Sequence, residues 1–228
     1  MRDALPIASV TAALEVLYGR PDRPPSDPLE LILRENVVYL ADDARRAAAF
    51  ELLRERIGIR PDQILAADDE TMEKVTRSAG ILPQMQVEKL RRVAQLASEL
   101  RPDDIVKLPL REAKKALMRF PGTGEPGAEK ILLFSRSYPI LALDSNALRV
   151  MLRLGFGQKH RDYRKSYRSA QGAVAEKLPD DFDELIDVAQ LLRIHGQRLC
   201  LRSNPKCFQC PLKSGCEFAR VNETGREG

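Results

Sequence analysis

With 228 residues, 43% of them hydrophobic, the chain has enough apolar material for one large or two small domains and needs no covalent staples to hold a core. Charged residues make up 31%, and 37 basic against 33 acidic residues give a net +4, which permits a polyanionic partner without requiring one. The sequence has no run of about 18 apolar residues and no charged-then-apolar leader, which argues against a membrane span or a secretory signal and for a cytoplasmic protein, nucleoid-associated in a prokaryote.

Taken in chain order, the sequence predicts helices throughout. A short N-terminal helix is set apart by the linker-like GRPDRPPSDP, Gly19 to Pro28. From Asp27 to Gly58 apolar residues recur at three- and four-residue spacing, with Asp27 as N-cap and Gly58 as stop. DDETMEKVTRSAG, QVEKLRRVAQLASEL, LREAKKALMRF, AEKILLFSR, SNALRVMLRLGF, YRKSYRSAQGAVAEKL and FDELIDVAQLLRIHGQRLC follow, punctuated by proline or glycine. Runs such as NVVYL and PILAL are too short and too few for a sheet, so the predicted fold is all-α.

The stretch RFPGTGEPGAEKILLF, Arg119 to Phe134, places Pro121, Gly122, Thr123 and Gly124 between two amphipathic helices. Glycines let the backbone turn with positive φ and leave successive amides facing one way at a helix N-terminus, where the dipole favours an anion such as a nucleic-acid phosphate. A plain helix–helix turn has the same local pattern. The four cysteines lie at Cys200, Cys207, Cys210 and Cys216, a C-x6-C-x2-C-x5-C pattern. Zinc sites usually pair two C-x2-C knuckles across a long spacer, whereas one such pair with two wider gaps suits four thiolates around a [4Fe-4S] cluster. Arg193, Arg198, Arg202, Lys206 and Lys213 lie near it in sequence, and Arg202 and Lys206, held between two ligands, fit a phosphate-contacting loop.

With hairpin and cysteines together, the sequence resembles the endonuclease III branch of the helix-hairpin-helix (HhH-GPD) DNA glycosylase superfamily, from roughly Pro28 to Cys216. The resemblance rests on FPGTG at Phe120 to Gly124, LDSNALRV at Leu143 to Val150, IHGQRLC at Ile194 to Cys200, and the cysteine spacing. It implies a six-helix barrel-like domain over 27–138 carrying the hairpin at 119–134. A cluster domain would be formed by an N-terminal helix in 1–26 and by 139–228, whose loop 200–216 holds the iron and sulfur, with duplex DNA bound as the partner of a monomer.

The same resemblance places Asp144 on the family's catalytic aspartate, where a carboxylate can stabilise the positive charge that builds on the sugar as an N-glycosidic bond breaks. It places Glu35 on the glutamate that the monofunctional adenine and mismatch thymine glycosylases use beside it. In an apolar cleft Glu35 would titrate high and protonate the leaving base while Asp144 stays ionised. Asn146 matches those same members, and Gln84 falls where relatives fill the hole left by a flipped base. Tyr39 and Leu40 stand where relatives have a polar loop touching the base, with Asp42 and Asp43 following. Bifunctional members carry a Schiff-base lysine where this chain has Pro126, which has no amine and is tolerated at a helix start.

The expected activity is therefore that of a monofunctional glycosylase removing a damaged or mispaired base. The alternatives are a lyase using Lys130, one turn beyond Pro126, and a DNA-binding protein without chemistry. The chain ends about a dozen residues past Cys216, which argues against a domain reading 8-oxoguanine on the opposite strand. Gly122, Thr123, Gly124, Lys130, Arg202 and Lys206 are the expected DNA contacts.

Overall fold

The structure is a computed structural model describing residues 5–38, 42–77 and 82–224. Among the described residues it is helical and has no strand, as expected of an all-α chain. The helices are α1 (Ile7–Tyr18), α2 (Pro28–Asn36), α3 (Asp43–Arg56), α4 (Pro61–Ala66), α5 (Asp69–Arg77), α6 (Pro83–Leu100) and α7 (Pro102–Ile105). They continue with α8 (Leu110–Leu117), α9 (Glu125–Phe134), α10 (Ser145–Leu154), α11 (Tyr163–Gly172), α12 (Phe182–Arg198) and α13 (Glu217–Thr224). No described helix is long and apolar enough to cross a membrane.

Two compact units are present: Pro24–Tyr138, and Met1–Arg23 together with Pro139–Gly228. The Pro24–Tyr138 unit holds α2 to α9 around a core that includes Phe50, Leu53, Ile64, Leu90, Leu117, Phe120, Ile131 and Leu132. The stretch from Asp27 to Gly58, read as one helix from its periodicity, is two. Asp27 caps α2 by accepting from the Glu30 amide at 2.6 Å, and the helix ends at Asn36, whose buried amide donates back to the Ile32 carbonyl at 2.9 Å. Asp42 then caps α3, accepting from the Arg45 amide at 2.8 Å, so a second N-cap sits inside the apolar pattern and restarts it. Val37 and Val38 stay buried beyond the end of α2, which is why the periodicity runs on after the helix stops.

In the other unit α12 packs against α1 and α10. Arg20 and Arg23 both reach Asp187 on α12, at 3.2 and 2.7 Å, and tie the N-terminal segment to it. Gly196 lets α10 and α12 approach: a β-carbon there would stand 2.7 Å from the backbone oxygen of Asn146.

Candidate active site

The hairpin between α8 and α9 begins at Phe120, whose ring is buried in the unit's core. Gly122 has φ +70°, the left-handed region that favours glycine, and a β-carbon there would lie 3.4 Å from Asn36 Oδ1 at the end of α2. Gly124 does not share that role. Its φ of −88° and ψ of −176° are extended, and it serves as the N-cap of α9, so the left-handed turn expected of both glycines rests on one. The Thr123 amide closes the turn on the Phe120 carbonyl at 3.2 Å. Pro126 lies in the first turn of α9, where the amide it lacks has no intrahelical acceptor.

Lys114 on α8 spans this turn to reach Glu125 at 3.0 Å and Glu129 at 2.5 Å, both on α9. Burial works against the Lys114 charge, but Glu129 and then Glu125 outweigh it and hold the ammonium above its ordinary range. The lysine thus clamps the two hairpin helices and neutralises acids in the first turns of α9.

Lys130, one turn further along α9, donates to Glu35 on α2, and the side chains of the pair are 27% and 36% exposed. Glu35, expected in an apolar cleft, thus has an ammonium beside it and a partly exposed side chain. Lys130, expected as a DNA contact, has its ammonium engaged by that carboxylate. Gln84 is exposed in the first turn of α6. Just before it Leu82 has φ 64° and ψ 57°, a left-handed conformation that is strained for leucine, and presents an apolar side chain 55% exposed. Tyr39 and Leu40 lie outside the described residues.

In the other unit, Asp144 is the N-cap of α10. Its Oδ1 accepts from the amides of Asn146 and Ala147 at 2.9 and 2.8 Å, and its Oδ2 accepts from Arg193 Nε at 3.1 Å. Asn146, expected in a base pocket, has both ends of its amide in use: Nδ2 faces Asp144 Oδ2 at 3.4 Å, and Oδ1 accepts from Arg149 at 2.9 Å. It orients the aspartate. Arg149 also donates to the carbonyls of Gly196 at 2.7 Å and Cys200 at 2.9 Å, linking the α10 N-terminus to the start of the cysteine loop.

All four cysteines line one cavity, together with Arg153, His195 and Phe218. Among the described residues no three cysteine, histidine or acidic side chains converge closely enough to hold a single ion. Burial pushes the Cys210 thiol up to about 11 and raises Cys216 as well. Arg153 pins the loop by donating to the carbonyls of Leu201 at 2.7 Å and Arg202 at 3.2 Å, which leaves the Arg202 and Lys206 side chains on the surface.

No family model matches the chain. It is 27% identical to the endonuclease III of Sulfolobus acidocaldarius over 197 residues, covering 83% of this chain and 80% of that protein. It is 24% identical to the endonuclease III of Thermotoga maritima over 200 residues, covering 88% and 87%. In structure it is similar to a trapped endonuclease III–DNA covalent intermediate, with a TM-score of 0.76 and 19% identity over 98% of this chain and 100% of that one. The chain is thus similar in sequence to endonuclease III proteins and shares their fold. A thermostable thymine-DNA glycosylase has the same fold, with a TM-score of 0.72 at 16% identity over 94% of this chain and 97% of that one.

Several residues of the candidate site carry no motif of their own. Arg193 was legible only as a basic neighbour of the cysteines, yet it is the charged partner of Asp144. Tyr163, at the start of α11, is partly exposed, and its phenol is raised by burial and by the Asp144 charge. Gly196, inside the IHGQRLC motif, keeps the α10–α12 packing tight. Gly196→Ala should therefore cost about 1–3 kcal/mol, because the added methyl meets backbone that cannot rotate away. A thermal melt checks this; an unchanged midpoint would show that α10 yields freely.

Proposed function

We propose that the chain is a base-excision DNA glycosylase that hydrolyses the N-glycosidic bond of a damaged or mispaired base in duplex DNA, leaving an abasic site and an uncut strand. The observation that carries the monofunctional part is Pro126. It occupies the first turn of α9, and the next amine along that helix, Lys130, is engaged by Glu35. The names of the relatives support glycosylase chemistry on DNA; the proline supports hydrolysis.

In this reading Asp144 acts as an ionised carboxylate. The two α10 amides and Arg193 stabilise its charge and fix its direction, so it meets the cationic sugar without reorganising. Glu35 orients the attacking water, takes its proton and passes it to the base, which departs with the electron pair of the N-glycosidic bond. The Gly122 turn and the α9 N-terminus grip a backbone phosphate, Gln84 with Leu82 fills the gap left by the flipped base, and Arg202 and Lys206 contact phosphates.

The four cysteines are proposed to hold a [4Fe-4S] cluster. All four line one cavity, and their C-x6-C-x2-C-x5-C spacing suits four thiolates around such a cluster. When bound, the cluster supplies a rigid cross-link for the loop that presents Arg202 and Lys206, and no step of base removal runs through it.

The ion pair itself favours one competing reading, since a carboxylate beside Lys130 could take the amine's proton and make it a nucleophile. Borohydride trapping on substrate duplex separates the two. The proposal expects no covalent adduct; an adduct lost in Lys130→Ala would overturn it in favour of a lyase with a relocated lysine.

A further inference from the structure

His195 is buried on α12, with 1% of its surface exposed, and its two ring nitrogens meet different partners. Nδ1 lies 3.0 Å from the Tyr18 hydroxyl on α1, and Nε2 lies 3.5 Å from Cys210 Sγ, a normal separation for a hydrogen bond to the larger sulfur atom. If Cys210 ligates iron it is a thiolate and has no proton to give, so Nε2 must be the donor of that pair. A neutral imidazole then has an acceptor at Nδ1, and the Tyr18 O–H is the group placed to fill it. Both ring nitrogens of the buried histidine are thereby matched, and the tautomer is fixed by the second partner, as is usual for histidines next to metal centres.

We propose that Tyr18 and His195 form a hydrogen-bond relay onto the Cys210 sulfur that raises the reduction potential of the cluster, an inference that rests on the [4Fe-4S] reading of the four cysteines. An N–H directed at a ligating sulfur withdraws electron density from it and favours the reduced member of the cluster's couple. The relay acts on one corner. Cys200 receives a different donor, Arg153 Nη1 at 3.3 Å, and that arginine is itself pinned to the Leu201 and Arg202 carbonyls. The N-terminal helix therefore has a role toward the cluster besides packing, because Tyr18 is its last residue.

The test is the midpoint potential of the full-length, iron- and sulfide-reconstituted protein by film voltammetry, with iron and sulfide counted on every sample. His195→Leu should shift the midpoint to more negative potential. His195→Gln, whose amide can direct an N–H at the sulfur, should recover part of the shift. Tyr18→Phe keeps the ring and leaves His195 in place but frees its proton to move to Nδ1, and should give a smaller negative shift. A wild-type midpoint in His195→Leu at full iron content would overturn the relay. Should that variant fail to fold or load, an unshifted midpoint in Tyr18→Phe would overturn it instead. Wild-type protein that retains neither iron nor sulfide after reconstitution would overturn the cluster reading and the relay with it.

Discussion

Replacing Asp144 with asparagine should slow single-turnover base release by about 10²- to 10³-fold, the usual cost of removing one preorganised electrostatic stabiliser from a transition state. The fold should be preserved, because the side chain has two separable duties. As N-cap of α10 it accepts from two amides through Oδ1, and asparagine caps a helix about as well as aspartate. The charge proposed to meet the sugar is what the substitution removes. Arg193 loses its anionic partner but is 35% exposed and can be solvated. Circular dichroism and thermal melting should therefore match wild type while the rate falls. A rate within about threefold of wild type would show that the Asp144 charge is not what stabilises the transition state.

Lys114→Met should destabilise the Pro24–Tyr138 unit by about 3 kcal/mol, the lower end of the cost of breaking a buried ion pair from one side. Glu129 is 4% exposed, so loss of the ammonium leaves its carboxylate buried without that partner. The second expected effect is on DNA. Glu125, the first residue of α9, would lose the Lys114 ammonium beside the turn proposed to hold a phosphate, and affinity should fall at low salt. Lys114→Met combined with Glu129→Leu should regain most of the stability, whereas a loss unchanged in the double variant would contradict the clamp. The lysine is held charged above its ordinary value of 10.5, so its contribution is complete at neutral pH and lost only as pH rises through the folded-state value. Equilibrium unfolding at several pH values between 7 and 10 should show a wild-type to Lys114→Met difference that does not fade.

The features legible in the sequence were those encoded locally. Gly122 stands out because only glycine adopts its backbone angle without strain, and the cysteines stand out by spacing alone. Asp144 came from a motif, and the structure supplies a physical reason for its neighbourhood: the residue heads a helix and needs the two amides that follow it. What was not legible depends on contacts between distant positions. Lys130 and Glu35 are 95 residues apart, Arg193 and Asp144 are 49 apart, and Tyr18 and His195 are 177 apart, and no local pattern announces any of them. The break after Asn36 was missed for a different reason. Burial of Val37 and Val38 sustains the apolar period across a segment that is no longer helical, so the period reports the core, and only the cap at Asp42 reports the restart. Gly124 was misjudged because a glycine's identity permits a left-handed turn without requiring one.

The central claim is that this chain removes a base from duplex DNA by hydrolysis. The most direct measurement incubates the reconstituted protein with a panel of duplexes, each carrying one damaged or mispaired base, and compares strand breaks with and without alkali. The account predicts that at least one duplex acquires breaks only after alkali, the mark of an abasic site in an intact strand. Breaks appearing without alkali, and lost in Lys130→Ala, would contradict it.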